Sequence, residues 1–147
     1  MPITQLIRGD LLAANAQILV NPVNCVGVMG KGLALQFKRT YPDNYTAYRQ
    51  ACDTGLVHPG KVFSYREANG IWIANFPTKR HWRDTSLMED IELGIVDLVQ
   101  FTRTIKARNI AIPPLGCGLG GLKWSEVKPS IIQAFGNDSI TLMLFEP

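Results

Sequence analysis

Apolar and polar residues along this chain fall into short runs that switch between a period of two and a period near 3.6. Ile3 to Arg8 alternates enough to predict a first strand, stopped by Gly9-Asp10. Gln17 to Val20 predicts a second, apolar enough to be covered on both faces. Gly32 to Thr40 reads as a helix through Leu33, Leu35 and Phe37. Tyr41-Pro42-Asp43 breaks it, and Pro42 suits the first turn of the next helix, which runs to about Cys52. Val62 to Arg66 and Ile71 to Phe76 flank Ala68-Asn69-Gly70, where Asn-Gly is a strong turn signal, so they predict a hairpin. Ser86 to about Ala107 is the clearest helix: Ser86 and Glu89 match a capping box, and Leu87, Ile91, Ile95, Leu98 and Ile105 recur near helical spacing. A short buried strand over Asn109 to Pro113, a helix from about Ser125 to Phe135 and a last strand, Ile140 to Phe145, complete the pattern. Strands alternating with helices, plus one hairpin, predict an α/β fold: a mixed sheet with helices on both faces.

Composition narrows this only a little. A chain of 147 residues buries a core of useful size and is expected to form one domain, residues 1–147. No apolar run approaches the roughly 20 residues of a membrane span, and the first residues lack a signal-peptide pattern, so the expected compartment is the cytoplasm. Cys25, Cys52 and Cys117 have no metal-ligand spacing, and His58 and His81 are the only histidines. That pattern speaks against a disulfide framework and a structural zinc site, and nothing visible requires a metal or cofactor. The formal charge of +3 is mild. Its distribution says more, because Lys79, Arg80, His81 and Arg83 crowd around Trp82.

Two glycine-punctuated loops each follow an apolar run and precede a helical pattern. The first is Asn21-Pro22-Val23-Asn24-Cys25-Val26-Gly27-Val28-Met29-Gly30-Lys31-Gly32; the second is Pro113-Pro114-Leu115-Gly116-Cys117-Gly118-Leu119-Gly120-Gly121. Free backbone N–H groups at such junctions bind anions, and side-chain amides beside them suit sugar hydroxyls. Gly116, Gly118 and Gly121 satisfy G-x-G-x-x-G, but the match comes too late in the chain for the strand–helix units a dinucleotide fold still needs. Gly30-Lys31 fails as a P-loop, since it lacks the earlier glycine and the following Ser or Thr. What remains is two loops able to hold a diphosphate between them.

Gly9-Asp10-Leu11, Asn21-Pro22-Val23-Asn24 and Gly116-Cys117-Gly118-Leu119-Gly120-Gly121 resemble, in order and spacing, the signature elements of the macrodomain family, the ADP-ribose-binding fold. The resemblance implies a three-layer α/β/α architecture around a mixed central sheet. The segment from Asn24 through Ala34, the element Phe76-Pro77-Thr78-Lys79 and the Gly-Cys-Gly-Leu loop are similar to one branch of that family. It holds the terminal ADP-ribose glycohydrolases and the DarG-type antitoxins, which remove ADP-ribose that DarT-type toxins attach to thymine in single-stranded DNA. By that likeness the expected partners are ADP-ribose, ADP-ribosylated DNA and a DarT-type toxin, with a toxin-binding region lying C-terminal to the domain in longer relatives.

The same resemblance assigns roles by position. Asp10 would accept from the adenine amino group, with Leu11 offering its backbone amide; the competing reading of Asp10 is a cap on a turn or helix. Asn21 and Asn24 would line the distal ribose, each donating and accepting, against a competing role in turn stabilisation beside Pro22. Gly27, Val28, Met29 and Gly30 would wrap one side of the diphosphate, and Gly116, Cys117, Gly118, Leu119 and Gly120 the other. Catalysis would rest on Lys79, assisted by Asn21. Lys79 would attack the opened sugar as a Schiff-base nucleophile or act as a general acid/base. Arg80, His81, Trp82 and Arg83 would face DNA, the cations on phosphates and Trp82 stacking on an unpaired base. Some lysine-dependent relatives carry an aspartate where this chain has Gly120, which weighs against protein-ester hydrolysis. Deacylation of O-acyl-ADP-ribose or protein esters, and non-catalytic ADP-ribose reading, are the rival functions.

Overall fold

The computed structural model describes residues 2–147. Six strands form one sheet: β1 (Ile3–Ile7), β2 (Ile18–Val23), β3 (Phe63–Arg66), β4 (Trp72–Pro77), β5 (Asn109–Ile112) and β6 (Thr141–Phe145). Their order is β1-β6-β5-β2-β4-β3, all parallel except β3, which pairs antiparallel with β4 in the expected hairpin. Helices α1 (Gly32–Thr40) and α2 (Pro42–Asp53) cover one face, and α3 (Met88–Thr104) and α4 (Trp124–Phe135) the other. Alternation along β2 builds both cores at once. Ile18 and Val20 join the α3–α4 side, while Leu19 and Val23 join the α1–α2 side. The mixed three-layer sandwich is as expected.

Two local expectations fail for instructive reasons. Strand β2 runs on through Asn21-Pro22-Val23 instead of stopping at Val20, because β4 continues beside it in register to Val23↔Pro77. With β5, by contrast, β2 pairs only at Ile18↔Ile110 and Leu19↔Ala111. The Val23 carbonyl faces β4, accepting from Thr78 N at 2.8 Å, so the nitrogen of Pro22 faces the β5 side. A residue with no N–H is placed where that ladder has ended. The chain then turns from β2 toward β4 on one side and comes back to β5 on the other. The parting of β2 and β5 is thus the topological switch point, where ligands of open α/β sheets bind.

The Ser86–Glu89 capping box is the second failure. Helix α3 starts at Met88 with Leu87 as its cap and no side-chain capping bond, and the buried Ser86 hydroxyl has no partner. Ser86 is drawn off by the second glycine loop, whose Gly120 carbonyl accepts from Ser86 N at 2.9 Å. At its other end α3 stops at Thr104, short of Ala107, in a Schellman turn: Ala107 N bonds to Thr102 O, Lys106 N to Arg103 O, and Lys106 takes the left-handed position with φ 56°.

Helix α3 lies close against β4 because Gly94 has no side chain. A Cβ there would overlap the ring of the fully buried Phe76, whose Cε2 would be 2.9 Å away. Phe76 is three residues ahead of Lys79, so this contact sets the height at which the strand delivers that lysine. Gly94→Ala is expected to cost about 1–3 kcal/mol by overpacking, read as a lowered midpoint in urea unfolding.

Candidate active site

Three segments meet at the carboxyl ends of β2, β4 and β5: residues 24–31, residues 78–87 and residues 113–121. The middle one is bonded to both others. Thr78 N donates to Val23 O at 2.8 Å, Cys25 N to Arg80 O at 3.2 Å, and Ser86 N to Gly120 O at 2.9 Å. The Lys79 segment therefore spans the gap between the two glycine loops.

The first loop is organised by Asn24. Its Oδ1 accepts from Val26 N (3.1 Å), Val28 N (3.3 Å) and the Tyr48 hydroxyl (2.9 Å), and its Nδ2 donates to Val28 O (2.8 Å). Tyr48 is fully buried on α2, and its one hydroxyl proton is shared between this Oδ1 and the Asn24 carbonyl, 2.8 Å away. The competing role in turn stabilisation is thus the one the Asn24 oxygen performs, and only one N–H of its amide is left for a ligand. The Met29 side chain is buried with Val23, Tyr48 and Ala51 and anchors the loop from below. The amides of Met29 and Gly30 have no acceptor among the described residues, as an anion-binding loop requires.

Asn21 differs from expectation more sharply. It lies inside β2, fully buried, and donates through Nδ2 to Asn75 Oδ1 at 3.1 Å, with Met29 Sδ 3.9 Å away. Its Oδ1 is buried and has no partner among the described residues, a state that costs about 1–3 kcal/mol until a donor arrives. An amide that both donates and accepts toward a sugar is therefore not available at Asn21; it has an acceptor to offer.

In the second loop, Gly116 has φ +73°, and turns from Cys117 N to Pro114 O and from Gly121 N to Gly118 O leave the amides of Gly118 and Leu119 free among the described residues. Both residues are exposed. Gly120 is packed against Ser86: a Cβ at Gly120 would overlap Ser86 Oγ and lie 2.5 Å from the Gly116 carbonyl oxygen. No aspartate fits at this position without moving the loop.

Lys79 is half-buried, and its Nζ makes a long 3.5 Å contact with the Trp82 carbonyl. The basic cluster behind it divides. Arg80 does not offer a free cation: its Nε and Nη2 each lie 3.2 Å from the Asp90 carboxylate, itself buried in the first turn of α3. That hydrogen-bonded carboxylate raises the Arg80 pKa further. His81, Trp82 and Arg83 stay at the surface, with Arg83 4.6 Å over the Trp82 ring and the His81 ring 5.1 Å from it. At the far end of the cleft, Asp10 caps a 3-10 turn, Leu11–Ala13, accepting from Leu12 N at 3.0 Å. One carboxylate oxygen is used there and the other faces outward. Leu11 is buried and holds the turn in place.

Sequence reasoning missed Tyr48, Asn75, Asn44 and the true role of Ser86. A tyrosine on an amphipathic helix gives no sign that its hydroxyl serves a loop. Asn75, however, interrupts the apolar run Ile71–Phe76, and a polar residue in a central strand was a readable signal. Among the described residues no three His, Cys, Asp or Glu side chains gather where a metal ion could sit, and no helix is long and apolar enough to cross a membrane.

Comparison with known proteins follows this geometry closely. A family profile, the Macro domain, matches residues 20–131. The DNA ADP-ribosyl glycohydrolase of Thermus aquaticus is 50% identical over 145 residues, covering 96% of this chain and 40% of that protein. The chain thus spans about two fifths of that curated relative's length. The solved macrodomain of Thermus aquaticus DarG superposes with a TM-score of 0.94 at 48% identity, covering 100% of both chains. Thermosipho africanus DarTG, solved in complex with ADP-ribose, gives a TM-score of 0.93 at 34% identity over 100% of this chain and 42% of its own.

Cys25 lies where the first two segments join, its Sγ 3.6 Å from the Lys79 carbonyl, and burial first, then the neighbouring Cys52, raises its thiol to about 11 from 9.0. At pH 7.5 its thiolate fraction should be about a hundredfold below that of an ordinary thiol, so iodoacetamide should label it correspondingly slowly while the protein is folded. The protonated thiol is favoured in the fold, so its contribution is intact below pH 9 and is lost as pH rises toward 11. Cys25→Ser should flatten that part of the alkaline unfolding curve.

Proposed function

The chain belongs to the macro domain family, and on that premise we propose that it hydrolyses the bond between ADP-ribose and thymine in single-stranded DNA, as antitoxin to a DarT-type transferase. One observation carries the reading: the segment bearing Lys79 is hydrogen-bonded to both anion-binding loops, so the amine stands at the junction where a diphosphate held between them delivers its distal sugar. Asp10, beyond the β1 end of the cleft, is suited to the adenine amino group. The name and the bound ADP-ribose of the similar solved DarTG protein support the same ligand.

In this reading the diphosphate rests on the free amides of Met29, Gly30, Gly118 and Leu119. Lys79 acts at the anomeric carbon. The carbon–nitrogen bond to thymine breaks, the base leaves with a proton, and the oxygen of water ends on the sugar. A positioned lysine can supply that proton, or can attack the ring-opened sugar first. Trp82, 46% exposed and backed by Arg83, is the stacking surface for the unpaired DNA strand. With Arg80 paired to Asp90 and Lys79 at the sugar, Arg83 is the arginine of this segment left for DNA phosphates. The packed Gly120 disfavours ester hydrolysis by a lysine–aspartate pair, since the position has no room for the acid.

The test is release of ADP-ribose from an oligonucleotide carrying ADP-ribosyl-thymine, beside an ester-linked ADP-ribosyl peptide. Wild type is expected to act on the DNA and not the peptide. Lys79→Ala is expected to lose at least about a hundredfold in rate while binding free ADP-ribose within a few-fold of wild type. Release from neither substrate would leave a reader module. Undiminished DNA cleavage by the alanine variant would remove Lys79 from the chemistry.

A further inference from the structure

The parallel register of β2 and β4 sets Asn21 directly beside Asn75 on the face covered by α1 and α2. Asn75 Oδ1 accepts from Asn21 Nδ2 and from Asn44 Nδ2, both at 3.1 Å. Asn75 Nδ2 donates to Asn44 Oδ1 at 2.9 Å and to the Phe63 carbonyl at 3.0 Å. All three asparagines are fully buried. Asn44 comes from the first turn of α2 and Phe63 from β3, so Asn75 is gripped from three elements.

This arrangement allows one orientation only. The Phe63 carbonyl is backbone and cannot turn, so Asn75 keeps Nδ2 toward it and Oδ1 toward Asn21, and the Asn44 amide takes the matching orientation. With Asn75 fixed, Asn21 must point its nitrogen at Asn75. What is left over is Asn21 Oδ1, buried and without a donor. Three residues along the chain the loop that receives the ligand begins.

Resting on the reading that this cleft takes ADP-ribose, we propose that Asn75, oriented by the Phe63 carbonyl and held by Asn44, is a positioning residue that makes Asn21 an acceptor-only group for a hydroxyl of the distal ribose. The amide trio reads hydroxyl hydrogens through one oxygen and holds the sugar at a set distance from Lys79. Neither Asn75 nor Asn44 touches substrate. Their effect passes entirely through Asn21, which makes it separable from a purely structural one.

A double-mutant cycle tests this. Asn75→Ser, Asn44→Ala and Asn21→Ala are made singly, and the first two are also combined with the third. Affinity for free ADP-ribose, kcat and KM on the ADP-ribosyl-thymine oligonucleotide, and thermal midpoint are measured for each. Asn75→Ser and Asn44→Ala are each expected to lower kcat about tenfold and to weaken ADP-ribose binding. In the Asn21→Ala background the same changes are expected to have less than about a twofold further effect, although the thermal midpoint still falls. If Asn75→Ser does not fold, Asn44→Ala, which leaves the strand unchanged, carries the same comparison. Equal losses with and without Asn21, or no loss at all, would overturn the proposal. If wild type releases no ADP-ribose from DNA, the proposed reaction fails, and the coupling in ADP-ribose affinity still decides the roles of Asn75 and Asn44.

Discussion

Everything at the functional end of this protein depends on two strands ceasing to pair. Strands β2 and β5 share two residue pairs and then separate. Had the ladder continued, backbone groups of β5 would fill the space in front of Pro22, and the loops after the two strands would close on each other. Prolines on both sides suit the separation: Pro113, just past β5, and Pro22, whose nitrogen faces β5, have no N–H to carry the ladder on. The cleft opens where neither strand has the donors to continue that ladder.

A gap between two glycine loops is only a gap until something sets its width. Residues 78–87 do so, tied by backbone bonds to Val23 and Cys25 at one end and to Gly120 at the other. Side chains reinforce the frame from outside. The Arg80–Asp90 pair fastens the segment to α3, Tyr48 fastens the first loop to α2, and Gly120 sits on Ser86 because neither position has a larger group. Lys79 is presented by this frame rather than by a flexible surface turn. The residues to which the proposed reaction gives chemistry, Lys79 and Asn21, are held by neighbours to which it gives none.

The layered fold was legible because its signals are local: period, turn dipeptides and proline positions decide the six strands and four helices almost unaided. The ligand loops were legible for the same reason, glycines being required wherever backbone must approach an anion. What the sequence hid was competition between possible partners. Ser86 reads as a helix cap until a loop some thirty residues later takes its amide. Asn24 reads as a sugar ligand until Tyr48 and its own loop claim its oxygen. Arg80 reads as an unpaired cation, whereas Asp90, on the next helix, already bonds it while its side chain stays largely exposed. Each of these residues can serve two masters, and only three-dimensional proximity selects one. Asp10 is the converse, doing with one oxygen what its competing reading required and keeping the other free.

The parallel pairing of β1 with β6 has a practical meaning of its own. Glu146 N bonds to the Ile7 carbonyl and Arg8 meets Glu146 at 3.5 Å, so the last residues run beside the first as both leave the sheet in the same direction. Asp10 lies a few residues further on. On the reading proposed above, this corner of the sheet borders the adenine end of the cleft, whereas the proposed catalytic lysine follows β4, three places from β6 in the strand order. A fluorophore carried at the exposed Arg8 would, on that reading, sense arrival of the nucleotide from the edge of the sheet.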